Sequence, residues 1–228
     1  MGEVTARSFA ALQPAMQRAL GLAWESLRGG SLGVGAVAVD GTGAEVATGR
    51  NRLFEHDPGE DVLAGTSLAH AEMNALAKLK MRQHEAERLV LHTTLQPCVQ
   101  CLGAIRLSPV RAVRVLAPDP IFRGIERIRE VNAFVAGNWP EIEQLPISEW
   151  SVLSLLFPTH AQVFWSSQLE LWSERLPRMT ALAERLVASG LVVAHAAEGS
   201  DVVTLASAMW GDLVAGVDEV QELADSLD

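Results

Sequence analysis

Basic residues are scarce and scattered in this sequence. It contains 18 Lys and Arg against 28 Asp and Glu, so its formal net charge is −10. Proteins that bind nucleic acids neutralise phosphates with a local cluster of Lys and Arg. The densest basic stretch holds Arg123, Arg127 and Arg129, but Glu126 and Glu130 interrupt it. We interpret this stretch as the solvated face of a helix and expect no nucleic-acid partner.

Cysteine is almost absent. The chain has two, Cys98 and Cys101, which stand three positions apart. Stable disulfides belong mainly to oxidising compartments and usually close longer loops. The pair is therefore better explained as metal ligands or as a redox dithiol.

Long hydrophobic runs are also lacking. No apolar stretch approaches the roughly 20 residues that span a bilayer. The first residues, MGEVTARSFAALQ, do not contain the apolar segment of a signal peptide. We therefore expect a cytoplasmic protein without a membrane partner.

Helical and strand-like patterns alternate over the first 136 residues. This alternation predicts an α/β layer fold whose later strands are parallel. In the run 33–40, Gly33 and Gly35 favour close backbone packing at a strand entry over a phosphate-binding loop. The predicted elements are helices over 7–27, 69–82, 98–107 and 121–135, a strand hairpin over 33–40 and 44–50, and strands over 88–94 and 112–117.

The character of the sequence changes after residue 136. Five of its six tryptophans lie beyond this point. We divide the chain into a catalytic core over 1–136 and a helix-rich C-terminal extension over 137–228 that packs on the core. Within the extension, 160–165 is a candidate strand. Tryptophans at helical spacing are more often core residues than base-stacking ones, and we expect that of these.

Two short segments carry the residues suited to catalysis, each at the predicted start of a helix. His70 lies in one, and Cys98 and Cys101 lie in the other. Thiolate and imidazole are preferred zinc ligands, and a catalytic zinc uses three protein ligands with a fourth position open to water. Cysteines at positions i and i+3 share one helix face. These three residues are therefore candidate ligands of a catalytic zinc ion.

Glu72 is the candidate catalytic residue. It stands two positions after His70, where a carboxylate can reach a water activated by the metal without ligating the metal itself. Such a carboxylate can carry a proton from the water to the substrate. Alone, Cys-x-x-Cys or His-x-Glu is a weak signal, but the order H-x-E…P-C-x-x-C is the signature of zinc deaminases.

These residues resemble the cytidine deaminase-like superfamily of zinc-dependent deaminases. Two stretches are most similar to the branch that holds tRNA adenosine deaminases and guanine deaminases. One is VGAVAV at 34–39 followed by GRN at 49–51, and the other is TTLQPCVQCLGAI at 93–105. The run HAEMNAL at 70–76 is shared more widely. The resemblance covers about residues 20–136.

The resemblance implies a three-layer α/β/α fold around a mixed sheet of about five strands. It implies a zinc ion held by His70, Cys98 and Cys101, with Glu72 as the proton shuttle. It also implies that Asn51 and the backbone N–H of Ala71 contact the substrate, and that the protein is a homodimer.

The sequence departs from the family pattern in two places. Gln96 stands where the family commonly has Glu, and the region after Asp119 does not match the substrate-contacting segment of either relative.

Three functions are compatible with these observations. The leading hypothesis is hydrolytic deamination of a free nucleobase, nucleoside or nucleotide, with a lean towards purines. The second is a nucleic-acid editor such as a tRNA adenosine deaminase, which the acidic charge disfavours. The third is a non-catalytic relative with structural zinc. The intact Glu72 speaks against it, because a structural zinc site does not need that carboxylate.

Overall fold

A mixed five-stranded sheet organises the structure, a computed structural model that describes residues 2–57, 59, 61–80, 88–122, 124–165 and 169–226. The strands are β1 (Gly35–Val39), β2 (Glu45–Arg50), β3 (Leu89–Leu95), β4 (Val110–Ala117) and β5 (Glu141–Gln144), in the spatial order β2-β1-β3-β4-β5. β1 is antiparallel to both β2 and β3, and β3, β4 and β5 are parallel. The carboxyl ends of β2 to β5 therefore share one edge of the sheet, which is where open α/β sheets place their sites.

Helices cover both faces of this sheet. The α-helices are α1 (Gly2–Ala11), α2 (Pro14–Arg28), α3 (Ala71–Ala77), α4 (Val99–Arg106), α5 (Ala133–Ala136), α6 (Glu149–Trp165), α7 (Leu169–Arg175), α8 (Pro177–Ser189), α9 (Leu191–Ala197), α10 (Val202–Ala208) and α11 (Trp210–Asp225), and a 3-10 helix spans Ile125–Val131. The α/β fold class and the mixed sheet of five strands are confirmed.

Two glycines set how closely the helices approach the sheet. A β-carbon on Gly35 would lie 2.1 Å from the carbonyl oxygen of Ala19 in α2. A β-carbon on Gly49 would lie 2.3 Å from the carbonyl oxygen of Ala71 in α3. In the hairpin Gly49 pairs with Ala36, the neighbour of Gly35, so the two glycines face opposite sides. Close packing on both faces of the sheet produces the three layers. The close backbone packing that the sequence predicts at Gly35 is present.

The prediction of one helix over 7–27 was wrong. The segment forms α1 and α2, and Pro14 is the first residue of the second helix. Proline has no N–H for a helix-interior hydrogen bond, but it suits the first helical turn. The helical structure is therefore interrupted just before Pro14.

Three further element predictions need correction. The helix predicted over 69–82 ends earlier, since α3 spans Ala71–Ala77, and positions 81 and 82 lie outside the described residues. The helix predicted over 121–135 is a 3-10 helix followed by the short α5. The candidate strand at 160–165 is wrong, because these residues complete the long helix α6. Residues 150–162 of this helix are buried without interruption, and 160–165 contain only one β-branched residue, Val163.

The C-terminal segment supplies both the last strand and a helical layer. β5 lies beyond residue 136, so the sheet continues past the segment assigned to the core, and the division at 136 stays a prediction. α6 packs against α2 and β4. The ring of its buried Phe157 lies 5.9 Å from that of Trp24 in α2, and its Trp150 is also fully buried. Trp172 and Trp210 are also buried, in keeping with the expectation that these side chains belong to the core.

No single helix in the described part of the chain is long and apolar enough to cross a membrane; α8 and α9 meet the length and composition criteria only together, and they are bent by 57°.

Candidate active site

Two loop-to-helix junctions meet at the carboxyl edge of the sheet. His70 immediately precedes α3, and Cys98 immediately precedes α4, which carries Cys101 in its first turn. β3 ends at Leu95, so its last residues lead directly to Cys98. The three predicted zinc ligands, which are 28 to 31 positions apart between the two segments, are brought together.

The spacing of their ligand atoms fits one zinc ion. Nδ1 of His70 lies 3.6 Å from Sγ of Cys98 and 3.6 Å from Sγ of Cys101, and the two sulfurs are 3.6 Å apart. Tetrahedral zinc, with Zn–S of about 2.3 Å and Zn–N of about 2.0 Å, places neighbouring ligand atoms about 3.5–3.8 Å apart. Within the described residues, no carboxylate joins this group as a fourth ligand. The donor set is therefore that of a zinc site with one open position.

The electrostatics of the group favour a metal. The pKa of the Cys98 thiol is lowered to about 4, chiefly by its hydrogen bond with Cys101 and also by the one with His70, against the opposing effect of burial. The same hydrogen bond between the two sulfurs, together with burial, raises the pKa of the Cys101 thiol. Burial lowers the pKa of His70, but the hydrogen bond with Cys98 and the charge of Glu72 outweigh it and raise that pKa overall. Without a cation the two sulfurs share a proton, whereas zinc binding deprotonates both.

Glu72 lies beside this group in the first turn of α3. Its carboxylate is buried, with Oε1 2.9 Å from the hydroxyl of Thr93 and Oε2 3.4 Å from Sγ of Cys101. Burial raises the pKa of Glu72, and the positive charge of His70 opposes this shift. The carboxylate thus faces the open side of the ligand group without belonging to it.

Asn51 presents an amide N–H group to the same space. Its Oδ1 accepts hydrogen bonds from the Ser31 hydroxyl, at 2.7 Å, and from the Leu53 N–H, at 3.1 Å. Because both contacts use the oxygen, Nδ2 is the group left to donate to a ligand. Ala71 is the first residue of α3, so its N–H has no acceptor inside the helix, but Ala71 does not line the cavity described below.

Asn74 fixes the loop that carries Asn51 against α3. Its Nδ2 donates to the carbonyl oxygens of Arg50 and Leu63, both at 3.1 Å, and its Oδ1 accepts from the Leu63 N–H at 2.8 Å. All four hydrogen-bonding positions of a side-chain amide are thereby nearly filled. Asn74 therefore has a structural role, which the sequence analysis does not single out.

A cavity of about 310 Å³ opens over these groups. His70, Cys98, Glu72 and Asn51 line it on the side of the core. The opposite wall comes from the C-terminal segment, in the side chains of Pro158, Gln162 and Trp172. The volume is at the lower end of the range for small-molecule sites, about 300–1,000 Å³.

Gln96 and Asp119 form a second polar arrangement in the cavity wall. The Asp119 N–H donates to Oε1 of Gln96 at 3.1 Å, and Nε2 of Gln96 lies 3.5 Å from the carbonyl oxygen of Phe122. Oδ1 of Asp119 accepts from the N–H groups of Ile121, at 2.7 Å, and Phe122, at 3.3 Å. Burial raises the pKa of Asp119 to about 6, although the two N–H groups act against the shift.

Sequence reasoning did not identify Thr93 or Asp119 as site residues. Thr93 lies in the middle of an apolar strand, where its hydroxyl gave no distinguishing pattern. Asp119 had a usable signal, since it comes two residues after the end of a central parallel strand, where ligand-binding side chains gather. The flanking Pro118 and Pro120 were interpreted only as the end of the strand.

The mixed sheet and the three-ligand group at its edge define an α/β zinc protein with a partly open cavity beside the ligands. Comparison with known proteins identifies the family. A family model described as the cytidine and deoxycytidylate deaminase zinc-binding region matches residues 10–117. The chain is 30% identical to tRNA-specific adenosine deaminase 2 of Xenopus laevis over 129 residues, which are 53% of this chain and 69% of that protein.

Two further similarities were found. The chain is 31% identical over 101 residues to the guanine deaminase of Bacillus subtilis (strain 168), covering 43% of this chain and 59% of that protein. A solved structure from a study of A-to-I editing by tRNA:A34 deaminases is 25% identical, with a TM-score of 0.46 over 57% of this chain and 96% of that one. The chain belongs to the cytidine and deoxycytidylate deaminase family of zinc enzymes, which confirms the predicted family and cofactor.

Proposed function

We propose that this protein is a hydrolytic deaminase of a small amino-substituted nucleobase, nucleoside or nucleotide, with His70, Cys98 and Cys101 as its zinc ligands. The observation that carries the proposal is the position of Glu72. Its carboxylate is buried in the cavity wall, beside the three ligand atoms but outside their group. A structural zinc site has no use for such a carboxylate, whereas hydrolysis of a C–N bond needs a proton carrier there.

Zinc held by these three residues supplies Lewis-acid activation of water at neutral pH. Glu72 takes a proton from the attacking water and delivers it to the ring nitrogen next to the amino-bearing carbon. A C–O bond forms at that carbon. Glu72 then takes the remaining proton of the former water from the new C–O–H group and passes it to the amino group, the C–N bond breaks, and the products are the oxo heterocycle and ammonia. Thr93 orients the carboxylate for both transfers through its hydrogen bond to Oε1.

The cavity supports a small-molecule substrate over a nucleotide within RNA. The side chains of Pro158, Gln162 and Trp172 form a wall opposite the ligand group, and the cavity is small. An RNA editor needs phosphate-binding residues around its pocket, and the chain is acidic overall, at −10. The match to a guanine deaminase agrees with a lean towards purines. The matches to tRNA deaminases make a tRNA pool the necessary competing substrate.

The test is ammonia release from zinc-loaded protein against bases, nucleosides, nucleotides and a tRNA pool. The Glu72→Gln variant keeps the size of the side chain and removes its ability to carry the proton. Its matched control is Glu219→Gln, which changes an equally buried carboxylate that accepts from the backbone N–H groups of Arg178 and Met179, far along the chain. We expect turnover of a small heterocycle that Glu72→Gln abolishes and Glu219→Gln retains.

Two results would contradict the proposal. Turnover of the tRNA pool alone would replace the small-molecule substrate with an RNA. Undiminished turnover by Glu72→Gln, with zinc bound at one per chain, would remove Glu72 from the mechanism.

A further inference from the structure

Asp119 is a carboxylate held rigidly in the cavity wall. It is 5% exposed, and both of its side-chain hydrogen bonds, from the N–H groups of Ile121 and Phe122, end on Oδ1. Gln96 contacts both ends of the segment 119–122. Its Oε1 accepts from the Asp119 N–H, and its Nε2 faces the Phe122 carbonyl. Rotation of the carboxyl group would break the contacts of Oδ1. The second oxygen, Oδ2, therefore has a fixed position.

That second oxygen has no partner of its own among the described residues. Asp119 takes part in none of the ion pairs found there, and the side chain lines the cavity with Glu72 and Cys98. The carboxyl group already accepts two hydrogen bonds at Oδ1, and Oδ2 can accept a further one, so a donor that a ligand supplies at Oδ2 would be favourable. Asn51 presents the opposite polarity, an N–H donor, to the same cavity. The cavity thus offers Asn51 as a donor and Asp119 as an acceptor, apart from the catalytic groups.

We propose that Asp119 is a specificity-determining residue, which accepts a hydrogen bond from an N–H of the substrate other than the amino group that is removed. The inference rests on the proposed function and narrows its substrate class. The substrate is an amino heterocycle with an acceptor that meets Asn51 and a further N–H donor that meets Asp119. That donor is either a ring N–H or a second exocyclic amino group, and the two sources share the same recognition chemistry.

Gln96 gives this proposal a physical link to the sequence. Glu, which is common at this position in the family the chain resembles, could accept from the Asp119 N–H but could not donate to the Phe122 carbonyl. It would also place another negative charge beside Asp119. A neutral amide at 96 therefore suits an ionised carboxylate at 119.

Substitution of Asp119 by Asn should reverse the hydrogen-bonding preference at this position. The two N–H groups of Ile121 and Phe122 would retain the amide oxygen, since they can only donate. The amide NH₂ would then face the cavity where Oδ2 had been, so an acceptor would become a donor. A merely structural role for Asp119 would not reverse the hydrogen-bonding preference of the site.

The experiment is equilibrium binding of non-reactive oxo heterocycles to zinc-loaded protein by titration calorimetry at about pH 8, where a carboxyl with a pKa of about 6 is ionised. The probes are hypoxanthine with its 1-methyl and 9-methyl derivatives, and uracil with 1-methyluracil, which test a ring N–H. Guanine against hypoxanthine, titrated into zinc-loaded Glu72→Gln so that guanine is not turned over, tests an exocyclic amino group. We expect at least one pair in which the N–H member binds the wild type about tenfold or more tightly. In Asp119→Asn that preference disappears or reverses, while zinc content is unchanged.

A second variant protects the test against a folding defect. Gln96→Glu removes the donor to the Phe122 carbonyl and should weaken the N–H preference in the same pair, again with zinc retained. Equal binding of every pair by the wild type, no binding of any probe, or an unchanged preference in Asp119→Asn would overturn the proposal. Because binding does not depend on Glu72 chemistry, this failure is distinct from a loss of turnover, which tests the proposed function.

Discussion

The hydroxyl of Thr93 lies 2.9 Å from Oε1 of Glu72 and 3.0 Å from the carbonyl oxygen of Leu95. A residue of the central strand β3 therefore orients a carboxylate that belongs to helix α3. The contact joins the sheet to the group that we assign to proton transfer.

Replacement of Thr93 by Val should lower kcat without removing the zinc. Val has nearly the same shape but no hydroxyl, so Glu72 loses a hydrogen bond to its charged form. Such a bond is worth about 1.5–3 kcal/mol, and we expect kcat to fall about tenfold to a hundredfold. Steady-state kinetics with zinc analysis would measure this. Thr159→Val is the control, since Thr159 is equally buried but bonds the Leu155 carbonyl of its own helix. Equal losses in both variants would contradict a specific role for Thr93.

Removal of the metal should destabilise the fold as well as stop turnover. The Cys98 and Cys101 sulfurs are 3.6 Å apart, and Glu72 lies beside them, so their negative charges need a cation. A ligand present at about 1,000 times its Kd stabilises the folded state by about 4 kcal/mol. We expect one zinc per chain by elemental analysis, and a lower Tm after chelation.

His70→Gln should bind little zinc, whereas His195→Gln should remain fully loaded. The His195 ring lies 3.0 Å from the Ser200 hydroxyl in the C-terminal segment and does not line the cavity. Full zinc content in His70→Gln would show that another residue completes the site.

Gly49→Ala should destabilise the protein because α3 lies directly on β2. The new β-carbon would be 2.3 Å from the Ala71 carbonyl oxygen and 2.4 Å from the Ala75 nitrogen, both backbone atoms. Overpacking of this kind costs about 1–3 kcal/mol in the free energy of unfolding, and it would also displace the helix that follows His70. Urea unfolding at a fixed zinc concentration would measure the loss.

Gly21→Ala provides the opposite expectation. A β-carbon on Gly21 meets nothing within 4 Å, and the residue lies inside helix α2. Alanine in a helix interior is more stable than glycine by about 0.5–1 kcal/mol. A comparable loss in both variants would mean that the contact between Gly49 and Ala71 is not the cause.

Mild acid should weaken the fold through His160. Burial lowers the pKa of this side chain below its usual 6.5. The unfolded chain therefore takes up a proton near pH 6.5 before the folded chain does, so stability is complete above that pH and is lost as the pH falls below it. In His160→Gln, the decrease in the free energy of unfolding between about pH 7.5 and pH 5 should be smaller than in the wild type.

His92 provides an internal control for this effect. Its pKa is also lowered, by burial and then by the charge of Arg114, so it contributes a pH dependence of the same sign. The double variant with Gln at 92 and 160 should therefore have a shallower slope than either single variant. A slope equal to that of the wild type in all three would assign the acid sensitivity to other groups.

Much of the core could be predicted because its signals are local. A short β-branched run followed by the Gly-rich turn at 41–43 predicted the hairpin β1–β2, and helix starts at His70 and Cys98 followed from short motifs. Pro14 was also a local signal for the start of a new helix, but the apolar spacing continues across it and therefore favoured one continuous helix. These features depend on a few neighbouring residues, which a single sequence displays.

The remaining features depend on contacts between distant segments. β5 is the polar run EIEQ, and only its pairing with β4 identifies it as a strand. Trp172 reaches the cavity from 74 positions beyond Cys98, which is the difference of their numbers. Its spacing in the sequence is that of any buried helix residue. The acceptor role of Asp119 likewise depends on which way a turn holds its carboxyl group.

The division of the cavity between two parts of the chain has a practical consequence for engineering. The groups that we assign to chemistry come from residues 51–101, whereas Pro158, Gln162 and Trp172 come from helices later in the chain. A combinatorial library at those three positions could retune which heterocycle is accepted while the metal ligands and the proton carrier remain untouched. Variants at these positions should therefore change which heterocycles bind without changing the zinc content.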